Sequence, residues 1–149
     1  MILISHRGNL NGLSVRENEP EYIHESLVHD FDVEIDVWYI DGEFWLGHDR
    51  PQYQIEENFL ENSRLWCHAK NIDALYKMKI NSLVHCFWHQ EDDVTLTSRG
   101  FFWTYPGKQL TEKSICVLPE FEDKKSKVIL PKNIAGICSD VIIDYRRFK

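Results

Sequence analysis

The sequence predicts a compact, minimal (β/α) TIM-like barrel, an α/β fold built as one domain over residues 1–149. Three observations lead there. Short apolar runs recur along the chain, separated by helical or polar connections instead of tight hairpins, as parallel strands require. Polar side chains collect at the ends of those runs, at His6-Arg7, Lys70, His89, Tyr105, Glu120 and Asp140. A barrel of this kind carries its chemistry at the carboxyl ends of its strands, which is the same placement. The length is short for it. A full barrel takes about 250 residues, so in 149 residues the helices must be trimmed to turns or a strand must be missing.

Ile2–Ser5 is an apolar run that stops at His6-Arg7-Gly8, and a polar loop follows from Asn9 to Asn18. Glu19–Asp30 reads as a helix, because Pro20 suits a first turn, acids gather on its N-terminal side, and Ile23 and Leu27 pair four apart. His24-Glu25 and His29 lie on it, but histidines five apart do not share a helix face, so no zinc-protease pattern is read there. Val33–Asp49 is the stretch that organises the chain. Val33, Ile35 and Val37 alternate with Glu34, Asp36 and Trp38, the two-residue period of a strand. Glu34 and Asp36 therefore share one face, about 7 Å apart along it. Asp41-Gly42 is a two-residue hairpin signal, since both central residues of that turn need positive φ. It folds Glu43–Gly47 back and returns His48-Asp49 toward the end of the strand just left.

Pro51–Ser63 is a polar connection with one helical turn. Leu65–Lys70 is the next strand, with His68 and Lys70 on one face by period two. Asn71 caps a short helix carrying Ala74, Leu75 and Met78. Ser82–His89, Gly100–Tyr105, Ser114–Glu120 and Ala135–Asp140 follow as strands, with a weak one at Val128–Leu130 inside the lysine-rich loop Asp123–Lys132. His85 reads as a core histidine beside Phe87, and Trp103 and Tyr105 as core aromatics.

Composition bounds the function classes. Hydrophobic residues at 43% supply a real core, and a formal charge of −7 argues against nucleic acid or an anionic membrane as the main partner. Cys67, Cys86, Cys116 and Cys138 stand singly in apolar runs with no C-x-x-C pair. They read as small buried hydrophobes in a reducing compartment, ahead of disulfides or a zinc site. No run of eighteen apolar residues exists, and the opening MILISHRG is too short for a signal peptide, so the expectation is a soluble, cytoplasmic protein without a membrane span.

Two carboxylates on one strand face, with an imidazole returned beside them, suit a divalent cation plus a proton-transfer group. A half-buried hairpin with solvated acids is the plainer alternative. Taken in order, His6-Arg7-Gly8, Glu17-Asn18, Glu34-x-Asp36-Val37, Asp41-Gly42 and His48-Asp49 resemble the motifs of the glycerophosphodiester phosphodiesterase family, a phospholipase-C-like group. The segment Gly136–Asp140 is similar to that family's final-strand motif. The strong likeness covers the first third of the chain.

The resemblance implies a barrel that cleaves a small phosphodiester substrate with one divalent cation, magnesium or calcium. His6 and His48 would be the acid–base pair, with His48 preferred as the acid. Arg7 and Lys70 would bind phosphate, and Glu34 and Asp36 the metal. His68 stands where relatives carry a carboxylate. Either it ligates and shifts the preference toward manganese or zinc, or Glu120 or Asp140 supplies the missing carboxylate. Two other classes stay open: a binding module that kept the site without turnover, and an interaction domain whose barrel is completed by a partner or a homodimer.

Overall fold

A computed structural model of the chain describes residues 1–121, 130 and 133–148. The elements run β1 (Ile2–His6), α1 (Pro20–Val28), β2 (Asp32–Ile40), β3 (Glu43–Leu46), β4 (Tyr53–Ile55), β5 (Leu65–Ala69), α2 (Ile72–Ile80), β6 (Cys86–Trp88), β7 (Val94–Leu96), β8 (Phe102–Thr104), β9 (Ser114–Val117) and β10 (Gly136–Ser139). Short 3₁₀ segments lie at Glu57–Glu61, Pro119–Phe121 and Ile142–Phe148. Among the described residues all ten strands join one mixed sheet. Its parallel part runs β6-β5-β2-β1-β10-β9-β8. β3 and β4 extend the second half of β2 antiparallel, and β7 turns back against β8.

The sheet is strongly curled. Phe87 on β6 and Trp103 on β8 sit at opposite ends of the parallel path, six strand steps apart. In a flat sheet they would be separated by roughly 29 Å at ~4.8 Å per step. Their ring centroids are 4.7 Å apart. The inner face of the curl is filled by Ile4, Trp66, Phe87, Trp103, Ile115, Val117 and Cys138. The outer side chains Val33, Ile35, Val37, Cys67 and Ala69 pack with Ile23 and Leu27 of α1 and with Ala74 and Met78 of α2. Because β2 turns its odd-numbered apolar residues outward, Glu34 and Asp36 must face inward.

The alternating (β/α) barrel expected from the sequence does not form. The architecture is a curled, mixed ten-stranded half-barrel, rich in sheet. Among the described residues it has only two α-helices, of nine residues each. The physical reason lies in the connections after β6. Parallel strands need a crossover of a dozen or more residues to carry a helix, and residues 105–113 between β8 and β9 hold Pro106-Gly107 and no helix. Among the described residues no ladder joins β6 to β8. The backbone N–H of Ser98 instead donates to the Cys86 carbonyl at 2.8 Å, and Thr95 Oγ1 donates to the Trp88 carbonyl at 2.8 Å.

Other expectations meet the structure more closely. The helix read at Glu19–Asp30 is α1, and Asn71 caps α2, its side chain accepting the Ala74 N–H at 3.0 Å. Asp41 (φ 53°) and Gly42 (φ 89°) make the expected hairpin turn. The strand read at Ser82–His89 shrinks to Cys86–Trp88, because a turn at Asn81 takes the Val84 N–H at 3.1 Å. Neither β4 nor β7 was expected; each is three residues long. The strand read at Val128–Leu130, with most of its lysine-rich loop, lies outside the described residues, Leu130 excepted. All four cysteines are buried thiols. Among the described residues no helix is long and apolar enough to cross a membrane.

Candidate metal and proton-transfer site

Inward-facing residues at the carboxyl ends of β1, β2, β5 and β6 meet the returning end of the β2–β3 hairpin around a cleft of about 280 Å³. His6, Arg7, Glu34, His48, His68, Lys70 and His89 line it, together with Trp88, Trp103 and Tyr105. The local backbone explains the placement. Arg7 (φ 54°) and Gly8 (φ 91°) turn the chain sharply after β1. A Cβ on Gly8 would lie 2.8 Å from Tyr22 Cδ1, so the close approach of α1 requires glycine there. On the hairpin, Gly47 adopts φ 145°, and a Cβ would run into the Arg50 carbonyl. The Gly47 N–H donates to the Asp36 carbonyl at 3.1 Å, and its own carbonyl accepts Trp38 Nε1–H at 2.6 Å. These bonds seat His48 at the cleft.

Glu34 and Asp36 are almost wholly buried. Together with His68 they offer ligand atoms that all lie within 4.8 Å of one another. His68 Nδ1 is 3.2 Å from Asp36 Oδ1 and 3.7 Å from Glu34 Oε1. Its Nε2 donates to the His89 carbonyl at 2.8 Å, and its ring stacks on Phe87 with an interplanar angle of 5°. Burial opposes charge on this ring, but the hydrogen bonds to Asp36 and Glu34 prevail and push its pKa up to about 9.

Asp36 also draws Arg7 Nε, at 3.0 Å to Oδ2, and Lys70 Nζ, at 3.3 Å to Oδ1. Burial would raise its pKa, yet His68, Arg7 and Lys70 hold it well below the usual carboxylate range. Asn18 fixes this carboxylate from below: its Nδ2 donates to Asp36 Oδ2 at 3.0 Å, and its Oδ1 accepts the Asp36 backbone N–H at 2.9 Å.

Each histidine of the expected acid–base pair has a carboxylate on Nδ1. His6 Nδ1–H donates to Asp140 Oδ1 at 2.7 Å, which leaves Nε2 facing Glu34 Oε2 at 3.8 Å. Burial disfavours a charged His6, but Asp140 and then Glu34 outweigh it, so its pKa lies above the ordinary value. His48 Nδ1–H donates to Asp49 Oδ1 at 2.7 Å, with 40% of its side chain exposed.

The structure thus brings His6, Arg7, Glu34, Asp36, His48, His68 and Lys70 together. It keeps Glu120 and Asp140 out of the carboxylate–imidazole group. Glu120 turns onto β10, where Oε1 accepts from Ser139 Oγ at 3.0 Å and from the Asp140 N–H at 2.8 Å. Asp140 serves His6 instead. Sequence reasoning also missed Asn9, whose Nδ2 donates to Glu17 Oε1 and to Asp140 Oδ1, at 2.8 Å each, and missed the anchoring role of Asn18. Asn9 follows β1 by three residues, a position at which an asparagine signals a turn, whereas nothing local marks Asn18 as an anchor. No family model, no curated protein and no solved structure matches the chain.

Proposed function

We propose that the chain is a divalent-metal-dependent phosphodiester hydrolase of the glycerophosphodiester phosphodiesterase type. The observation that carries this reading is the shared cleft: the Glu34–Asp36–His68 group, two histidine–carboxylate pairs and two cationic side chains all line or border one cavity. The donor set fits a divalent ion. Buried Glu34 Oε2 lacks a hydrogen-bond partner among the described residues, Asp36 Oδ1 is held only by the ion pairs with His68 and Lys70, and two carboxylates with one imidazole suit manganese or zinc. A bound ion would supply charge neutralisation at the phosphate. Arg7 and Lys70 add to that neutralisation, and the apolar side chains of Trp103 and Val117 in the lining strengthen both. Four buried cysteine thiols agree with work in the cytoplasm.

Proton transfer falls to the two histidines. Asp140 and Glu34 flank the His6 ring, and a ring between two carboxylates is stabilised as the cation. That supports His6 as the donor to the leaving oxygen and His48, with its Asp49 contact, as the acceptor. This reverses the assignment preferred from the sequence.

A second reading rests on one observation. Asp36 is already surrounded by His68, Arg7 and Lys70, so the charge of the site is largely satisfied by the chain's own cations. A phosphodiester-binding module without turnover would have this character. One experiment separates the two. Diesters with nitrophenyl and alkyl leaving groups are assayed across manganese, magnesium, calcium and zinc, with metal affinity measured by calorimetry. The hydrolase reading expects activity that Glu34→Ala with Asp36→Ala abolishes together with metal binding. Replacing the acid histidine should lower kcat by roughly 10²–10⁴ on alkyl diesters and much less on nitrophenyl ones. Diester binding without metal affinity or turnover would establish the binding module.

A further inference from the structure

α2 carries apolar side chains on two opposite faces. Ala74 and Met78 are buried in one cluster with Cys67 of β5 and Cys86 of β6. Ile72, Tyr76 and Ile80, spaced four apart, form a stripe on the other face and are 64–66% exposed. Asp73, Lys77 and Lys79 flank this stripe, and no charge lies along it. A helix apolar on both sides has the pattern of one packed between two layers, yet α2 has a layer on one side alone among the described residues.

A strand without a helix lies beside it. β7 is tied to β6 by the Ser98 N–H on the Cys86 carbonyl and by Thr95 Oγ1 on the Trp88 carbonyl. Residues 89–93, which join the two strands, hold no helix. Thr95 stands opposite Trp103, whose ring fills the inner face of the curl. By period two, Val94 and Leu96 therefore point outward, where they are 42% and 62% exposed. Leu83 connects the two surfaces. It is exposed in the turn after α2, and its carbonyl accepts Arg99 Nη2–H from the β7–β8 turn at 2.8 Å.

We propose that this face is a homodimer interface, in which the Ile72–Tyr76–Ile80 stripe of one copy seats on the outer side of β7 in a second copy, and the reverse. The chain itself specifies the occupant. Each copy has one helix face without a sheet and one strand face without a helix, and a two-fold axis satisfies both at once. At their observed exposures the six apolar side chains hold on the order of 700 Å², near the ~800 Å² that each partner buries in a stable interface. A patch of that size exceeds what a monomer ordinarily leaves to water. Tyr76, at the middle of the stripe, meets Leu96 of the second copy. The inference is independent of the phosphodiester reading, because none of the six residues lines the cleft.

Sedimentation velocity over roughly 1 to 200 µM reads the association directly. The wild type should move from the 17.7 kDa of one chain toward twice that mass as concentration rises. Tyr76→Glu and Leu96→Glu, both at exposed positions, should keep the melting temperature of the dissociated wild type and weaken association roughly 10-fold or more. A cross-link then fixes which surfaces meet. Tyr76→Cys and Leu96→Cys chains are mixed and treated with a short bismaleimide, from which the four buried native thiols are shielded. A product joining residue 76 to residue 96 should form in the mixture and in neither variant alone. A wild type that keeps the mass of one chain throughout overturns the proposal and leaves the face to a different protein. A dimer that Leu96→Glu leaves intact, or a dimerising mixture without the 76-to-96 product, overturns the seating of α2 on β7. If a glutamate variant fails to fold, the cross-link alone decides.

Discussion

Two inner-face histidines differ in charge for reasons visible in their neighbours. His68 meets two carboxylates and is pushed up to about 9, whereas His85 meets the Thr97 hydroxyl at 2.9 Å, and burial, followed by Arg99, pushes it down to about 4. His85 is therefore neutral in the folded protein at pH values where an unfolded chain would already carry the proton. Above its ordinary value of 6.5 both states leave it neutral and it does not change stability. As pH falls from there toward about 4, the unfolded state gains a proton that the folded state refuses. Stability should drop by up to ~3 kcal/mol across that window. Urea midpoints at pH 7 and pH 4.5 check this: His85→Gln should lose clearly less stability on acidification than the wild type. Asp36 and Asp140 do not blur the comparison, because both lie below the ordinary 3.8 and lose their contribution only beneath that value. Equal acid sensitivity in the two proteins would mean that the His85 proton is not linked to folding.

At the scale of elements, Asn71 shows what a single sequence makes legible. Its side chain caps α2, accepts the Tyr39 N–H at 3.2 Å and donates to the Tyr39 carbonyl at 2.9 Å, so it joins the helix to the hairpin strand. Asn71→Ala should lower unfolding free energy by about 2–3 kcal/mol, the loss of a cap and two part-buried hydrogen bonds. Asn71→Asp, which keeps the acceptor, should lose less; equal losses would assign the effect to packing. The cap, the Asp41-Gly42 turn and the alternation of β2 could all be read beforehand, because each is a local rule about a few residues. β4 and β7 could not. Three-residue strands have too few positions to show a period, and they exist because a neighbouring strand offers its edge. The same limit applies to the site. The Glu34–Asp36 face follows from period two, but nothing local says that Asp140 turns to His6 or that Glu120 turns to Ser139. Those pairings depend on which strands become neighbours.

For the molecule as a whole, the mistaken barrel and the observed curl differ in how the seam between β6 and β8 is held. A closed barrel would have a continuous ladder there. Here the rings of Trp66, Phe87 and Trp103 pack across the gap, with Trp66 and Trp103 centroids 6.0 Å apart. Trp103→Ala should cost about 3–5 kcal/mol, as expected for deleting a large buried ring. Its effect on motion is the sharper test. Amides of β6, β7 and β8 should exchange much faster in the variant, while those of β1, β2 and β10, paired on both sides, should keep most of their protection. Uniform loss of protection would mean that the seam is no weaker than the rest of the sheet.

One ladder of that sheet bears on how the protein is made. β1 pairs with β10, and His6 meets Asp140 across a separation of 134 residues. A chain leaving the ribosome presents β1 well before β10, so β1 must wait with one edge open while the strands between are synthesised. Closing so long a loop is slow. Any product cut short before β10, by a premature stop or a protease, retains Glu34, Asp36 and His68 but leaves the His6 ring without the carboxylate that fixes it. Assembly of the cleft is thereby tied to synthesis of β10 and Asp140, and fragments released before them carry an exposed strand edge of the kind that quality-control proteases and chaperones bind.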